Sequence, residues 1–403
     1  PISPKPAHKA MLKFTKTLQM GIVGMPNVGK SLLFNLLSKR DLAGTANYPF
    51  CTIEPNLARV EVPDERFTWL CKHFHPKSEV PATLNVIDIA GLVRGASTGE
   101  GLGNEFLSNV RSVNGIYHVV RLFEDEDVVH VEGNVDPVRD LQIISDELKL
   151  KDIEWMTRVH DDLEKKMKCE PRKYKDEFEH CCKVLDFLKT QTKPIRAGDW
   201  NQVEIEYIES LNILTSKPTI YLLNMDEKSY LTRKNKWLPK VAQWVKEYSG
   251  ELIIPFSASF EKELADMTPE EAEKVCKEKN TKSAIGKIIQ TGYNDLGLIR
   301  FFTCGPDEVR GWTIRDGATA PAAGGVIHTD FMEKFIRADV YHFEDIFELG
   351  SENNVKAAGK LRTEGKNYVV KDGDIIFFKH GAGSGSKKRS EERRVGKECR
   401  SRW

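Results

Sequence analysis

The chain lacks most of what would commit it to a membrane, a structural metal or a charged polymer. Its longest apolar runs, such as Pro218 to Leu223 and Leu252 to Phe256, fall far short of the roughly 20 residues that a bilayer-spanning helix needs, so no membrane anchor is expected. The cysteines at 51, 71, 169, 181, 182, 276, 304 and 399 show no C-x-x-C spacing. In a chain this long, that points away from a zinc ribbon or disulfide scaffold and toward reduced thiols in the cytoplasm. A dominant charge is missing too, since Lys plus Arg and Asp plus Glu number 60 each. No global field draws the protein to nucleic acid, sequence-specific DNA binding is not expected, and any polyanion contact must come from a local patch. The N-terminal segment 1–17 opens Pro-Ile-Ser-Pro-Lys-Pro without an initiator Met. It has no signal-peptide apolar stretch and reads as an N-terminal extension with a processed or truncated start.

What is present is the profile of a folded protein of two or three domains: 403 residues, 40% hydrophobic and 30% charged. An apolar strand (18–23), a Gly-containing loop and a Leu-rich helix (31–37) come first, and further strand candidates stand at 83–89, 115–120, 218–223 and 252–256. Short β-branched runs alternating with helical stretches predict an α/β fold with a parallel sheet. Between about 136 and 213 the sheet pattern stops. Leu141, Ile144 and Leu148, then Met156, Val159, Leu163 and Met167, recur at helical spacing amid dense charge, which predicts a helical, coiled-coil-like insertion. After a helical linker (269–293), residues 297–380 read as a small β-rich domain, with strands at 298–303, 309–314, 368–370 and 374–379. Residues 381–403 open with Gly-Ala-Gly-Ser-Gly-Ser and carry 8 Lys/Arg against 3 Asp/Glu. They read as a disordered tail of cloning or read-through origin, outside the functional argument.

Gly24-Met25-Pro26-Asn27-Val28-Gly29-Lys30-Ser31 fits G-x-x-x-x-G-K-[ST] between a strand and a helix start. Such a loop wraps a phosphate closely, which makes Asn27, Val28, Gly29, Lys30, Ser31 and Leu32 nucleotide-binding candidates. Lys30 reaches the β- and γ-phosphates as a catalytic charge, and the Ser31 hydroxyl binds Mg²⁺. A metal needs a carboxylate behind it and the γ-phosphate an N–H in front. Val86-Ile87-Asp88-Ile89-Ala90-Gly91 offers Asp88 for the first and Gly91 for the second. Thr52, in a loop between the two motifs, completes an expected metal set of Ser31, Thr52 and Asp88. The glycines at 95, 99, 101 and 103 suit a segment that orders on the γ-phosphate.

Asn224-Met225-Asp226-Glu227 stands at a later strand end, where GTP-binding proteins carry N-K-x-D and the Asp accepts the guanine N1–H and N2 amino protons. Here Met225 replaces the Lys and Glu227, one methylene longer, replaces the Asp. Guanine preference is therefore expected to be lost in favour of ATP. Ser257, opening Ser257-Ala258-Ser259, fits the last base-side loop. A GTPase with Asp226 shifted into the reading position remains open at this point.

Together these motifs resemble the Obg-like ATPase family, the YchF subfamily of TRAFAC-class G proteins. The resemblance rests on Gly24 to Ser31, Asp88-Ile-Ala-Gly-Leu-Val-Arg-Gly-Ala96, Gly101-Leu-Gly-Asn104, Asn224 to Glu227, Gly305-Pro-Asp-Glu-Val-Arg310 and His328-Thr-Asp-Phe331. It implies a P-loop G domain over 18–296 with the helical insertion, a C-terminal TGS domain of β-grasp fold over 297–380, ATP hydrolysis in the cytoplasm, and association with ribosomes. The chain departs from the family pattern at Ala322-Ala-Gly-Gly-Val-Ile-His328. Leu92 stands where many small GTPases place a water-orienting Gln, so slow intrinsic turnover is expected. In the family a histidine has that orienting role, and the matching residue is His118; a strand histidine satisfied by packing is the other reading. In related G proteins an Asn at the position of Asn27 helps coordinate K⁺, while an Asn that simply shapes the loop is equally open. A nucleotide-gated binding module with negligible hydrolysis stands beside the enzyme reading.

Overall fold

The computed structural model describes residues 18–39, 56–89, 109–125, 128 and 130–381. The described residues form two compact units: up to Glu65 with Pro81–Leu298, and Arg66–Val80 with the residues from Ile299 onward. The chain runs through β1 (Gln19–Val23), α1 (Lys30–Ser38), β2 (Leu57–Glu61), α2 (Glu65–Phe74), β3 (Ser78–Val80), β4 (Thr83–Asp88) and β5 (Gly115–Leu122). There follow α3 (Pro137–Cys169), α4 (Pro171–Thr190), α5 (Gln202–Leu211), β6 (Thr219–Met225), α6 (Glu227–Thr232) and α7 (Leu238–Tyr248). The first unit closes with β7 (Ile253–Phe256), α8 (Ala258–Ala265), α9 (Pro269–Glu278) and α10 (Ile285–Asp295).

The first unit is built on one sheet in the order β2-β4-β1-β5-β6-β7, parallel throughout except for β2, which runs antiparallel to β4. Its strands read as nearly continuous apolar runs because helices cover both faces; all eight residues of β5 are buried. On one face Tyr117 donates its hydroxyl to the Ile288 carbonyl at 2.9 Å, and a Cβ on Gly292 would collide with that hydroxyl. That glycine sets how closely α10 lies on the sheet.

The expected helical insertion is an antiparallel pair, α3 and α4, joined through the single residue Glu170, with Pro171 at the first position of α4. It has a core of its own, where Met156 and Leu163 meet Cys181, Val184 and Leu188, and Ile205 and Ile208 of α5 close it. At the base of the pair the fully buried Asp152 accepts from Leu214 N at 2.9 Å, Thr215 N at 2.8 Å and the Thr215 hydroxyl at 2.7 Å. The described cysteines, six in number, are all free thiols.

The second unit contains β8 (Leu298–Cys304), β9 (Glu308–Arg315), α11 (Ala320–Ile327), β10 (Phe335–His342), α12 (Phe343–Leu349), β11 (Arg362–Glu364) and β12 (Asp374–His380). Its sheet order, β11-β10-β12-β8-β9-β3, puts the first and last long strands parallel at the centre, the β-grasp arrangement. Three features differ from expectation. Residues 66–80 join this unit rather than the first: β3 pairs in parallel with β9, and Phe67, Leu70 and Cys71 of α2 pack against Phe302, Val309 and Ile375. Strand β10 was not expected, and 368–370 makes only an isolated bridge, Thr319 to Val369.

Asp152→Ala is expected to lower unfolding stability by about 2–4 kcal/mol in denaturant titrations, because it leaves two buried N–H groups without an acceptor.

Candidate nucleotide site

Strand β1 delivers the phosphate loop. Met25 and Val28 are buried beneath it, so the loop is fastened from below while Asn27 and Ser31 face outward. Two residues take left-handed backbone, Asn27 at φ 60 and Gly29 at φ 100. At Gly29 a Cβ would also come within 2.6 Å of Asn224 Nδ2, so both conformation and space demand glycine. The left-handed turn at Asn27 is one that Asn tolerates better than most residues, which favours a loop-shaping part for it.

Lys30 opens α1 with its ammonium buried and donating to the Met25 carbonyl at 2.7 Å. Burial lowers its pKa to about 8, against a smaller opposing pull from Asp88. The Ser31 hydroxyl donates to Asp88 Oδ2 at 3.2 Å, while the other carboxylate oxygen, Oδ1, is buried with no hydrogen-bond partner among the described residues. Burial likewise pushes Asp88 up from its ordinary value. An orphaned carboxylate oxygen beside a hydroxyl, at the start of a helix, is a donor set fit for a divalent cation that also carries phosphate oxygens. Thr52, Gly91 and Leu92 lie outside the described residues.

On the base side one side chain gathers three segments. Asn224 Nδ2 donates to Val28 O at 3.0 Å and its Oδ1 accepts from Ala258 N at 3.0 Å, joining β6, the phosphate loop and the start of α8. Strand alternation then separates its neighbours. Met225 points to the other face, into a cluster with Val120, Leu122 and Val241, so its side chain does not line the site. Ser257 is fully buried and caps α8, with its hydroxyl 3.0 Å from that of Ser259. Glu227 stays half-exposed at the start of α6 and pairs with Lys279 at 2.7 Å. Asp226 accepts from Ser229 N at 2.9 Å and caps the same helix.

His118 makes no hydrogen bond to the phosphate loop among the described residues, although Lys30 acts on it electrostatically. Tyr117 faces α10, so alternation turns His118 to the opposite face. There it lines a small interior cavity of about 30 Å³ with Ile144, Leu148, Thr215, Lys217 and Tyr248, its ring 5.5 Å from that of Tyr221. Burial, with Lys30 adding to it, lowers its pKa to about 3, so it is neutral at pH 7. The ring is packed in this structure, on the strand that pairs with Val23 just ahead of the phosphate loop. Lys279 was missed altogether. It stands 52 positions from Glu227, and no spacing rule links the two.

Comparison with known proteins fits this site. Obg-like ATPase 1 of Oryza sativa subsp. japonica is 56% identical over 385 residues, spanning 95% of this chain and 97% of that protein. The chain belongs to the Obg-like ATPase family. A second Obg-like ATPase 1, from Homo sapiens, is 53% identical over 370 residues, with 91% of this chain and 93% of that one covered. The solved Schizosaccharomyces pombe YchF GTPase matches with a TM-score of 0.85 at 51% identity, over 92% of this chain and 99% of that one. Residues 19–156 match the MMR_HSR1 model, described as 50S ribosome-binding GTPase, and 298–381 match YchF-GTPase_C, described as a protein of unknown function (DUF933). The Obg-like ATPases are thus nucleotide hydrolases of the P-loop G-domain type, and this chain carries both parts.

In this chain, Asn224→Ala removes both hydrogen bonds that tie the phosphate loop to β6 and α8. Nucleotide affinity is expected to fall at least tenfold by calorimetry, with helix content by circular dichroism retained.

Proposed function

We propose that the protein hydrolyses ATP to ADP with Mg²⁺, takes GTP less well, and acts in the cytoplasm as a nucleotide switch tied to the ribosome or to a translation-associated protein or RNA. The observation that carries the ATP reading is the division of labour between two carboxylates. Asp226, which a shifted guanine site would need, is engaged as a helix cap, and the carboxylate left near the base side is the longer Glu227. A site built for the two guanine donors loses them when its acceptor is displaced. The Obg-like ATPase 1 relatives carry ATP hydrolysis in their name, and the description of the matching G-domain model as ribosome-binding supports the partner.

Ser31 and Asp88, with Thr52, would hold the Mg²⁺, which when bound neutralises phosphate charge. The chain's own contribution starts with Lys30, whose ammonium exchanges the Met25 carbonyl for phosphate oxygens. The loop N–H groups of Asn27 to Leu32, with that of Gly91, orient the triphosphate. Leu92 offers the attacking water no hydrogen bond and His118 lies in the interior, so unstimulated turnover is slow. That slowness also favours a second reading, a nucleotide-gated binding module. Turnover with and without ribosomes separates it from a stimulated enzyme.

ATP is expected to bind at least several-fold tighter than GTP in parallel titrations of the purified protein; equal affinities or a GTP preference overturn the reading. Lys30→Ala should lower ATP turnover at least a hundredfold without loss of circular dichroism.

Asn27 is also proposed to lend K⁺ to the site, where a borrowed charge would offset the missing polar group at 92. Turnover is then expected to be higher in K⁺ than in Na⁺ at equal ionic strength, and to lose that difference in Asn27→Ala. A parent without cation preference leaves Asn27 a loop-shaping residue.

A further inference from the structure

Lys279 follows α9 and sits among groups from two other elements. Its Nζ lies 2.7 Å from Glu227 Oε1, at the start of α6, and 3.7 Å from Glu263 Oε2 on α8. The ammonium also stands 5.1 Å from the centre of the Phe260 ring on α8. The strand of chain that carries it is laced down on both sides. Tyr230 of α6 donates its hydroxyl to Lys282 O at 3.0 Å, and the buried Glu261 of α8 accepts from the Ser283 hydroxyl and from Ala284 N, each at 2.6 Å. Lys279 is therefore held in place by a strap fixed to the two helices that start at the base-side loops.

We propose that Lys279 is a positioning residue for base choice: by holding Oε1 of Glu227 it fixes the carboxylate's orientation so that the two oxygens are not presented side by side to a base. The inference rests on the ATP reading, in which Glu227 meets the base. Guanine presents two neighbouring donors, N1–H and the N2 amino group, and is read best by a carboxylate with both oxygens free. Adenine presents one donor group, its N6 amino, next to an acceptor. A carboxylate turned so that Oε1 rests on an ammonium can offer Oε2 to the adenine donor but cannot face both oxygens to the guanine pair. The pairing need not add to stability, since both side chains are about a third exposed (32% and 38%) and such pairs contribute little. Its effect is directional.

The test is the ratio of ATP to GTP dissociation constants for the parent, Lys279→Met and Lys279→Arg, with thermal melting as a check on folding. Lys279→Met should bring the ratio toward GTP by at least threefold, mainly through tighter GTP binding, and Lys279→Arg should keep most of the parent ratio. A merely structural lysine would weaken both nucleotides alike, so an unchanged ratio in a folded Lys279→Met overturns the proposal. So does a shift of the same size in Lys279→Arg. The parent's own ratio tests the ATP reading separately: a parent that favours GTP ends that reading, whereas an ATP-favouring parent with an unmoved Lys279→Met ratio ends only this inference.

Discussion

One amide holds the nucleotide site in shape. Asn224 donates to Val28 O and accepts from Ala258 N, backbone groups of segments far apart in the chain, and it can do so only because β6 ends in register between β5 and β7. A slip of one residue would turn Asn224 toward the cluster that now holds Met225 and offer a thioether where two polar backbone groups need partners. Sheet register, phosphate-loop geometry and base-side geometry are therefore one constraint. The glycine at 29 belongs to it as well, because a side chain there would meet the amide head on.

The electrostatics follow the same logic. Lys30 and Asp88 are both buried enough that their charged forms are disfavoured, the lysine lowered and the aspartate raised. Each has an incomplete set of partners: the ammonium rests on one carbonyl, and one carboxylate oxygen has none among the described residues. Such groups gain most when a ligand brings opposite charge, because much of their desolvation was incurred when the chain folded. Met25 and Val28, packed beneath the loop, keep it open for that ligand.

How much of this the sequence disclosed depended on whether the cause was local. The phosphate loop, the parallel strands and the helical pair were legible because glycine spacing, β-branched runs and helical periodicity act over a few residues. The assignment of 66–80 to the second unit was not, since Phe67 and Leu70 find their partners more than 200 positions away. Strand β10 carries Arg337 and Asp339 among its apolar residues and showed no clean alternation. At the site, side-chain directions were not legible: Met225, Ser257 and His118 each sit near the nucleotide motifs in sequence and are buried in the structure. Direction on a fully buried strand depends on which face the neighbours leave open, and β5, buried at every position, gives no polar face from which to read it.

The joint between α3 and α4 has a mechanical meaning. From Asp152, which is pinned to the turn at Leu214 and Thr215 ahead of β6, to Cys169 at the end of α3 are 17 residues, a reach of about 25 Å at 1.5 Å per residue. The two rods are closed at that end by a single residue, Glu170, and are bound to each other by their own apolar seam. The pair is therefore a stiff arm, and α3 runs on unbroken below Asp152, where Ile143, Ile144 and Leu148 pack in the main core. On a stiff arm of that reach, a tilt of about 10° at the pin becomes a sweep of about 4 Å at the tip. Asp152 thus marks where the arm leaves the core, so a small change of helix angle there would be magnified at the arm's exposed end.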